Sequence, residues 1–175
     1  MKKFLGLLLT GILLFCTIFS IVGCGEEMGN EEKEIFGNAV LYDNAQTYAK
    51  EEFLEENITN LMAGGENAPE EIVYIVKEQT DFDAMFTDFP TAIDFETEMV
   101  IVYLFTDINA GFGCSLSEVR KEKKCLHITF LHHMPEPDKN GCIPPMGSAP
   151  TQRCLLVKID KCDIELAYIN WCKNK

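Results

Sequence analysis

The sequence predicts an α+β domain: a mostly antiparallel, sandwich-like β-sheet with one longer N-terminal helix and one short helix. Two observations predict this class. Apolar residues recur at helical intervals only before residue 90, whereas from residue 99 onwards they run or alternate as they do in strands. The later strands follow one another through short connections, apart from one proline-rich loop, which favours antiparallel neighbours.

The first 23 residues have the anatomy of an export signal. Lys2 and Lys3 precede an uncharged apolar run, residues 4–22. The run leads into the string IVGC, which resembles the lipobox of bacterial lipoproteins. The resemblance implies cleavage before Cys24, a diacylglyceryl group on its thiol and attachment to the outer side of the cell membrane, where two or three acyl chains hold a protein stably. An uncleaved transmembrane helix is the alternative, but it gives Cys24 no role.

Removal of the 23-residue signal from the 175-residue chain leaves 152 residues, enough for one ordinary domain. Residues 24–40 are predicted to be an acidic tether, because they are rich in glutamate and poor in large apolar side chains. Residues 41–175 are predicted to form the domain. Without Lys2 and Lys3 the chain has 13 basic and 28 acidic residues, a formal charge of −15. This charge disfavours nucleic acid as a partner and leaves basic or neutral partners and cations open.

Two helices are predicted in the first half of the domain. Residues 44–62 place apolar side chains at mostly helical intervals among glutamates, and Gly64 and Gly65 end the pattern. A short helix begins at Thr80 or Asp81 and is stopped by Pro90. Its apolar face consists of Phe82, Met85, Phe86 and Phe89.

Six strands are predicted, at residues 72–76, 99–105, 113–121, 125–131, 154–160 and 163–170. The first of these is an apolar, buried strand. In residues 99–105 both alternating sets of side chains are apolar, which predicts a central strand covered on both faces. The last four strands are predicted to form a meander.

Six cysteines follow the lipobox, and all are in the C-terminal third of the chain: Cys114, Cys125, Cys142, Cys154, Cys162 and Cys172. An even number outside the cytoplasm favours three disulfides, with reduced thiols as the alternative. The sequence contains no close C-x-x-C pair that would indicate a zinc site. In the predicted meander, Cys125 faces Cys162 at one end and the other four cysteines gather at the opposite end, so the first disulfide expected is Cys125–Cys162.

Several strings resemble one known family. The order IVYIVKEQTDFDAMF, AIDFETEMVIVYLF, DINAGFGCSL and TQRCLLVKID, over residues 72–160, is similar to the PrcB-like C-terminal domain, which is named after a lipoprotein subunit of a protease complex. The turn at residues 109–113 and the pair Gln152 and Arg153 depart from the family pattern. The resemblance implies a protein-binding or protein-stabilising role outside the cell, with a protease as one possible partner, and implies no reaction.

The sequence offers few groups for catalysis. Motifs of the G-x-S-x-G, H-E-x-x-H and P-loop types are missing, so neither an enzyme nor a cofactor is predicted. The alternative is a metal-binding protein or enzyme that uses His127, His132 and Cys142, although a continuous strand would place His132 and His133 on opposite faces.

A carboxylate site for a cation is the other alternative. The residues concerned are Asp94, Glu96, Glu98 and Asp107. No glycine is placed among them as a Ca²⁺ loop requires, which favours a solvated acidic edge, and no metal is predicted.

The glycine-containing loop after the central strand is the predicted partner-binding site. It comprises Asn109, Gly111, Phe112 and Gly113. Glycines allow a close backbone approach, and an aromatic ring between them offers an anchor. The alternative is a tight connection with Phe112 turned into the core.

Overall fold

The structure, a computed structural model, describes residues 33–59, 69–107, 113–133, 139, 142 and 150–173. The chain divides into residues 1–31 and a compact unit from Glu32 to Lys175. The predicted signal and the lipidation site at Cys24 lie outside the described residues. Within the described segments, no helix has the length and apolar character needed to cross a bilayer.

The described part of the compact unit contains eight strands, two short α-helices and a 3₁₀ turn at Ala45–Tyr48. The helices are α1 (Glu51–Glu56) and α2 (Gln79–Met85). The strands are β1 (Lys33–Ile35), β2 (Val40–Tyr42), β3 (Glu71–Val76), β4 (Glu98–Asp107), β5 (Gly113–Glu122), β6 (Cys125–His133), β7 (Thr151–Asp160) and β8 (Leu166–Lys173).

The strands form two four-stranded sheets that pack face to face. Sheet A has the order β1-β5-β6-β8, and sheet B has the order β2-β7-β4-β3. All neighbours are antiparallel except β6 and β8, which are parallel. The prediction of a mostly antiparallel, sandwich-like fold is therefore confirmed.

The predicted meander of the last four strands is wrong. β5 and β6 form a hairpin, but β7 leaves them and pairs with β4 in sheet B over the whole register from Glu98↔Asp160 to Asp107↔Thr151. The physical reason is that β7 is apolar on both faces: Leu155 and Val157 point between the sheets, while Leu156 points away from them under the helices. Such a strand gains more by lying beside β4 in the centre of sheet B than at a solvated edge.

Strand β4 is central and covered on both faces, as predicted. Met99 and Ile101 belong to the core between the sheets. Val100 and Val102 belong to a second core, between sheet B and residues 43–59 and 79–93, which we call the helical layer. Each of these four side chains is fully buried. The alternation of a strand therefore supplies two hydrophobic layers from one run of sequence.

The predicted longer N-terminal helix is not present. Residues 45–48 form a 3₁₀ turn, α1 covers only Glu51–Glu56, and the backbone between them is extended. The extended segment makes tertiary backbone hydrogen bonds, from Lys50 N to Met85 O at 2.9 Å and from Thr87 N to Tyr48 O at 2.9 Å. Apolar residues at helical spacing still pack on sheet B, but pairing with residues 85–87 replaces the continuous helix.

Strands β1 and β2 are found where the sequence predicted mostly tether. Lys33–Ile35 pairs with β5, and Val40–Tyr42 pairs with β7. Phe36, between them, is buried in the core between the sheets. Part of the segment assigned to the tether therefore belongs to the sandwich. Strand β3, predicted to be buried, is an edge strand of sheet B whose residues 72–75 are only partly buried.

Candidate functional site

The connections of the predicted binding region leave the sandwich at one end, which we call the loop end. Strand β4 finishes there at Asp107 opposite Thr151 of β7, and β5 starts there at Gly113 opposite His133 of β6. A contact of 3.8 Å between Arg153 Nη2 in sheet B and Cys114 Sγ in sheet A joins the two sheets at this point. The stretches 108–112 and 134–149 therefore depart from neighbouring strand ends.

Three of the four predicted loop residues, Asn109, Gly111 and Phe112, lie outside the described residues. Gly113 is not a loop residue, because it opens β5 and is exposed. A Cβ on Gly113 would meet His133 Cβ at 3.6 Å, an ordinary contact. The close-approach role predicted for glycine is therefore not required at this position.

A buried ion pair lies beneath the loop end. Arg153 Nη1 is 3.2 Å from Asp107 Oδ2, and Asp107 is only 5% exposed. The guanidinium also lies over the ring of Phe105, 5.9 Å from its centroid. Burial raises the pKa of the Cys114 thiol despite the nearby Arg153 charge, which lowers it. Cys114 is therefore held as a neutral thiol rather than a reactive thiolate.

Aromatic rings from both sheets fill the space next to this ion pair. Tyr103 stacks on Phe105 at 4.7 Å between centroids, and Trp171 of β8 lies 5.1 Å from Phe130 of β6. The ring of His132 stacks on Trp171 at 4.2 Å. The loop end thus has a rigid, largely aromatic base.

Hydrogen bonds link the aromatic base to a carboxylate. Trp171 Nε1 donates to Tyr103 Oη at 3.3 Å, and that hydroxyl donates to Glu71 Oε2 at 2.7 Å. Burial is the main cause that raises the pKa of Tyr103, and the hydrogen bond and charge of Glu71 raise it further. This series of hydrogen bonds links β8, an edge strand of sheet A, to β3, an edge strand of sheet B.

No protein-family model, curated protein or solved structure matches the chain. The geometry of its own residues therefore carries the functional argument.

The histidines do not form one site. His127 and His132 are five residues apart on opposite faces of β6. His127 is on the outer face of sheet A, where its ring stacks on Tyr168 with 5.3 Å between centroids, whereas His132 faces the core. This separation is about 16 Å along the strand. Cys142, the third member of the alternative site, is exposed. The opposite orientation of His132 and His133 is confirmed.

One histidine has a serine neighbour. His133 Nε2 and Ser115 Oγ are 2.6 Å apart across the β5–β6 hairpin, on the partly exposed outer face of sheet A. Sequence reasoning missed this pair, because the two residues are 18 positions apart and only the hairpin register brings them together. Such a cross-strand hydrogen bond stabilises the hairpin whatever else the pair does.

The four carboxylates that the sequence offers as an alternative cation site do not lie together in the structure. Asp94 accepts hydrogen bonds from Glu96 N at 3.1 Å and Thr97 Oγ1 at 2.9 Å, so it closes the turn that leads into β4. A side-chain hydrogen bond from Lys158 is the main cause that lowers the pKa of Glu98. Asp107 is at the other end of the strand, about 30 Å away. The described residues contain no group of three or more potential metal ligands.

The cysteines of the strands lie in different layers. Cys114 faces the core between the sheets, Cys154 faces the helical layer on the other side of sheet B, and Cys172 is exposed. Cys125 and Cys162 share the end opposite the loop end, as predicted, but Cys162 packs on the core while Cys125 lies on the outer face of sheet A. All five carry free thiols in the structure, so the predicted Cys125–Cys162 disulfide is not formed in it.

Proposed function

We propose that this chain is a lipoprotein anchored by Cys24 to the outer side of the cell membrane, and that its sandwich domain binds or stabilises a protein partner without catalysing a reaction. One structural observation carries the binding proposal. At the loop end, adjacent connections leave a base that is fixed by the Asp107–Arg153 ion pair and by stacked aromatic rings. Rigid strands that carry variable connections are a common way to build a protein-binding surface.

The chemistry near the loop end supports binding over catalysis. The Cys114 thiol is buried with a raised pKa, so it is a poor nucleophile at neutral pH. His127 and His132 lie on opposite faces of sheet A and do not combine into the metal or catalytic site of the alternative proposal. A protease as the partner follows only from the resemblance to the PrcB-like domain, and it remains part of the proposal.

The anchor is tested separately from the partner. Cells that produce the full chain with a C-terminal tag are compared with cells that produce Cys24→Ser, and membranes are separated from soluble fractions. The wild type should be in the membrane fraction and incorporate labelled fatty acid, whereas the variant should incorporate none. Equal labelling of both proteins would contradict lipidation at Cys24.

The partner is tested by capture from solubilised membranes with the full chain as bait. Phe112→Ala at the predicted loop is compared with Tyr168→Ala, a matched aromatic truncation on the exposed outer face of sheet A. We expect Phe112→Ala to lose the captured protein and to keep its melting temperature, while Tyr168→Ala keeps both. If Phe112→Ala loses binding and melting temperature together, Phe112 is a core residue and the loop is not the binding site.

A further inference from the structure

The helical layer that covers sheet B carries an unbalanced negative charge. Residues 43–59 and 79–93 contain eight carboxylates and one lysine. The carboxylates are all exposed, at Asp43, Glu51, Glu52, Glu55, Glu56, Asp81, Asp83 and Asp88. The lysine, Lys50, donates through Nζ to the backbone carbonyl of Asp83 at 2.6 Å.

Sheet A has a different charge pattern. Lys33 is 3.9 Å from Glu122, and Lys121 is 3.7 Å from Glu34, so cations and carboxylates alternate and partly neutralise each other. Among the described residues, negative charge is therefore less balanced on the helical layer than on sheet A, and it attracts positive groups and repels anionic ones there.

A groove in this layer runs beside α2. It has a volume of about 240 Å³ and is bounded by α2 and the segment that follows it up to Ile93. Its lining brings the partly exposed ring of Phe89, backed by the buried rings of Phe82 and Phe86, next to the carboxylates of Asp83 and Asp88. The groove therefore combines an aromatic floor with a negative rim.

The aromatic floor is fixed before any ligand arrives. The ring of Phe89 meets three other rings edge-on. The distances between ring centroids are 5.4 Å to Phe82, 5.7 Å to Phe86 and 5.5 Å to Tyr48. An isolated β-bridge between Ala49 and Phe86 holds the two segments together. A preorganised groove loses little conformational freedom when it is filled.

We propose that this groove docks a lysine or arginine side chain from a basic segment of a protein partner. The aliphatic stem would lie on the partly exposed ring of Phe89, and the charged end would reach Asp88 or Asp83 at the rim, an arrangement that joins cation–π attraction to ion pairing. A second copy of this chain is a poor occupant, because two highly acidic domains repel each other. The groove lies on the helical layer and not at the loop end, so the inference is independent of the proposed partner site.

The test uses the full chain in detergent and a fluorescein-labelled pentalysine peptide, with binding followed by fluorescence anisotropy. The same peptide with every amine acetylated keeps the backbone and loses the charge. The variants are Asp88→Asn, which removes one rim charge, and Phe89→Leu, which removes a ring but keeps apolar bulk. Asp88 has a backbone φ of 50°, a conformation that asparagine also adopts readily. The matched control is Glu96→Gln, an equal charge change at an exposed residue that does not line the groove.

We expect pentalysine to bind, the acetylated peptide to bind at least tenfold more weakly, and Asp88→Asn and Phe89→Leu each to weaken pentalysine binding about three- to tenfold. Glu96→Gln should change affinity by less than twofold. Equal losses in Asp88→Asn and Glu96→Gln would mean diffuse attraction to an acidic surface and would overturn the groove site, as would no binding of pentalysine at 1 mM.

Phe112→Ala at the predicted loop should leave pentalysine affinity unchanged. The partner site at the loop end and the groove can therefore fail independently. A loss of pentalysine binding in Phe112→Ala, with Asp88→Asn unaffected, would assign the basic ligand to the loop end and overturn the groove site.

Discussion

Arg153 Nη1 lies 3.2 Å from Asp107 Oδ2, on neighbouring strands of sheet B at the loop end. In the β4–β7 register Arg153 stands opposite Phe105, two residues before Asp107, so the pair is diagonal. Asp107 is 5% exposed and the Arg153 side chain 20% exposed, which leaves both charges largely shielded from water. Each charge therefore helps to hold the other in place.

Removal of one partner of this ion pair should destabilise the fold. Asp107→Asn or Arg153→Met alone is expected to lower the free energy of unfolding by about 3 kcal/mol, because the remaining, largely buried group loses the opposite charge beside it. The double variant Asp107→Leu/Arg153→Met should recover more than half of the loss. Urea unfolding followed by circular dichroism measures all three variants. Additive losses in the double variant would contradict coupling between the two residues.

Phe130 should be one of the most important core side chains. It is fully buried between the sheets and contacts both Tyr103 and Trp171, so Phe130→Ala leaves a cavity and should cost about 3–5 kcal/mol. Tyr168→Ala, on the next strand but 48% exposed, should change stability by less than about 1 kcal/mol. Similar losses in both variants would mean that the outer face of sheet A is covered in solution.

The local sequence pattern is enough to predict the central strand and the aromatic residues that cover sheet B. The run from Met99 to Phe105 is apolar at every position, and only burial on both faces explains this pattern. The sequence also predicts that the phenylalanines after residue 80 share one apolar face, and Phe82 and Phe86 do pack on sheet B. The predicted helix end at Pro90 is wrong, because α2 ends at Met85 and Phe86 pairs with Ala49 in an isolated β-bridge.

The pairing of strands that are distant in the sequence could not be predicted from local patterns. Apolar residues on both faces of β7 favour a central position in a sheet, but this pattern alone does not identify β4 as the neighbouring strand. The same limit explains why Arg153 appeared only as a departure from a family pattern and Trp171 was overlooked. Their roles depend on the Arg153–Asp107 contact and on the parallel β6–β8 register, which are properties of the assembled sandwich.

The free energy of unfolding should decrease at high pH, because the buried side chains of Cys154 and Tyr103 have raised pKa values. Burial raises the pKa of Cys154 from 9 to about 12 and also raises that of Tyr103. The unfolded chain loses these protons at lower pH than the folded chain, so the stabilisation is complete below about pH 9 and is lost as pH rises towards 12. Urea unfolding from pH 7 to 10.5 should show the decline.

The Cys154→Ala variant isolates the contribution of Cys154 to this pH dependence. Its free energy of unfolding should decline less steeply than that of the wild type above pH 9, while the curves run parallel below pH 8. Lysine deprotonation affects both proteins alike and cancels in the comparison. Parallel curves over the whole range would show that Cys154 is not buried as the structure describes.

Thiol reactivity should follow the layers of the sandwich. At pH 8 without denaturant, N-ethylmaleimide should modify the exposed Cys172 within minutes and leave Cys154 and Cys114 unmodified, since both are buried and have raised thiol pKa values. After unfolding in urea the protected cysteines should react at the same rate as Cys172. Mass spectrometry of tryptic peptides identifies each site.

The same peptide map, made without reductant, tests the disulfide prediction from the sequence. Cys125 lies on the outer face of sheet A and Cys162 packs on the core between the sheets, whereas a disulfide needs two side chains that converge. We therefore expect both residues as free thiols in folded protein. A Cys125–Cys162 link at high occupancy would contradict the placement of these two side chains on different faces.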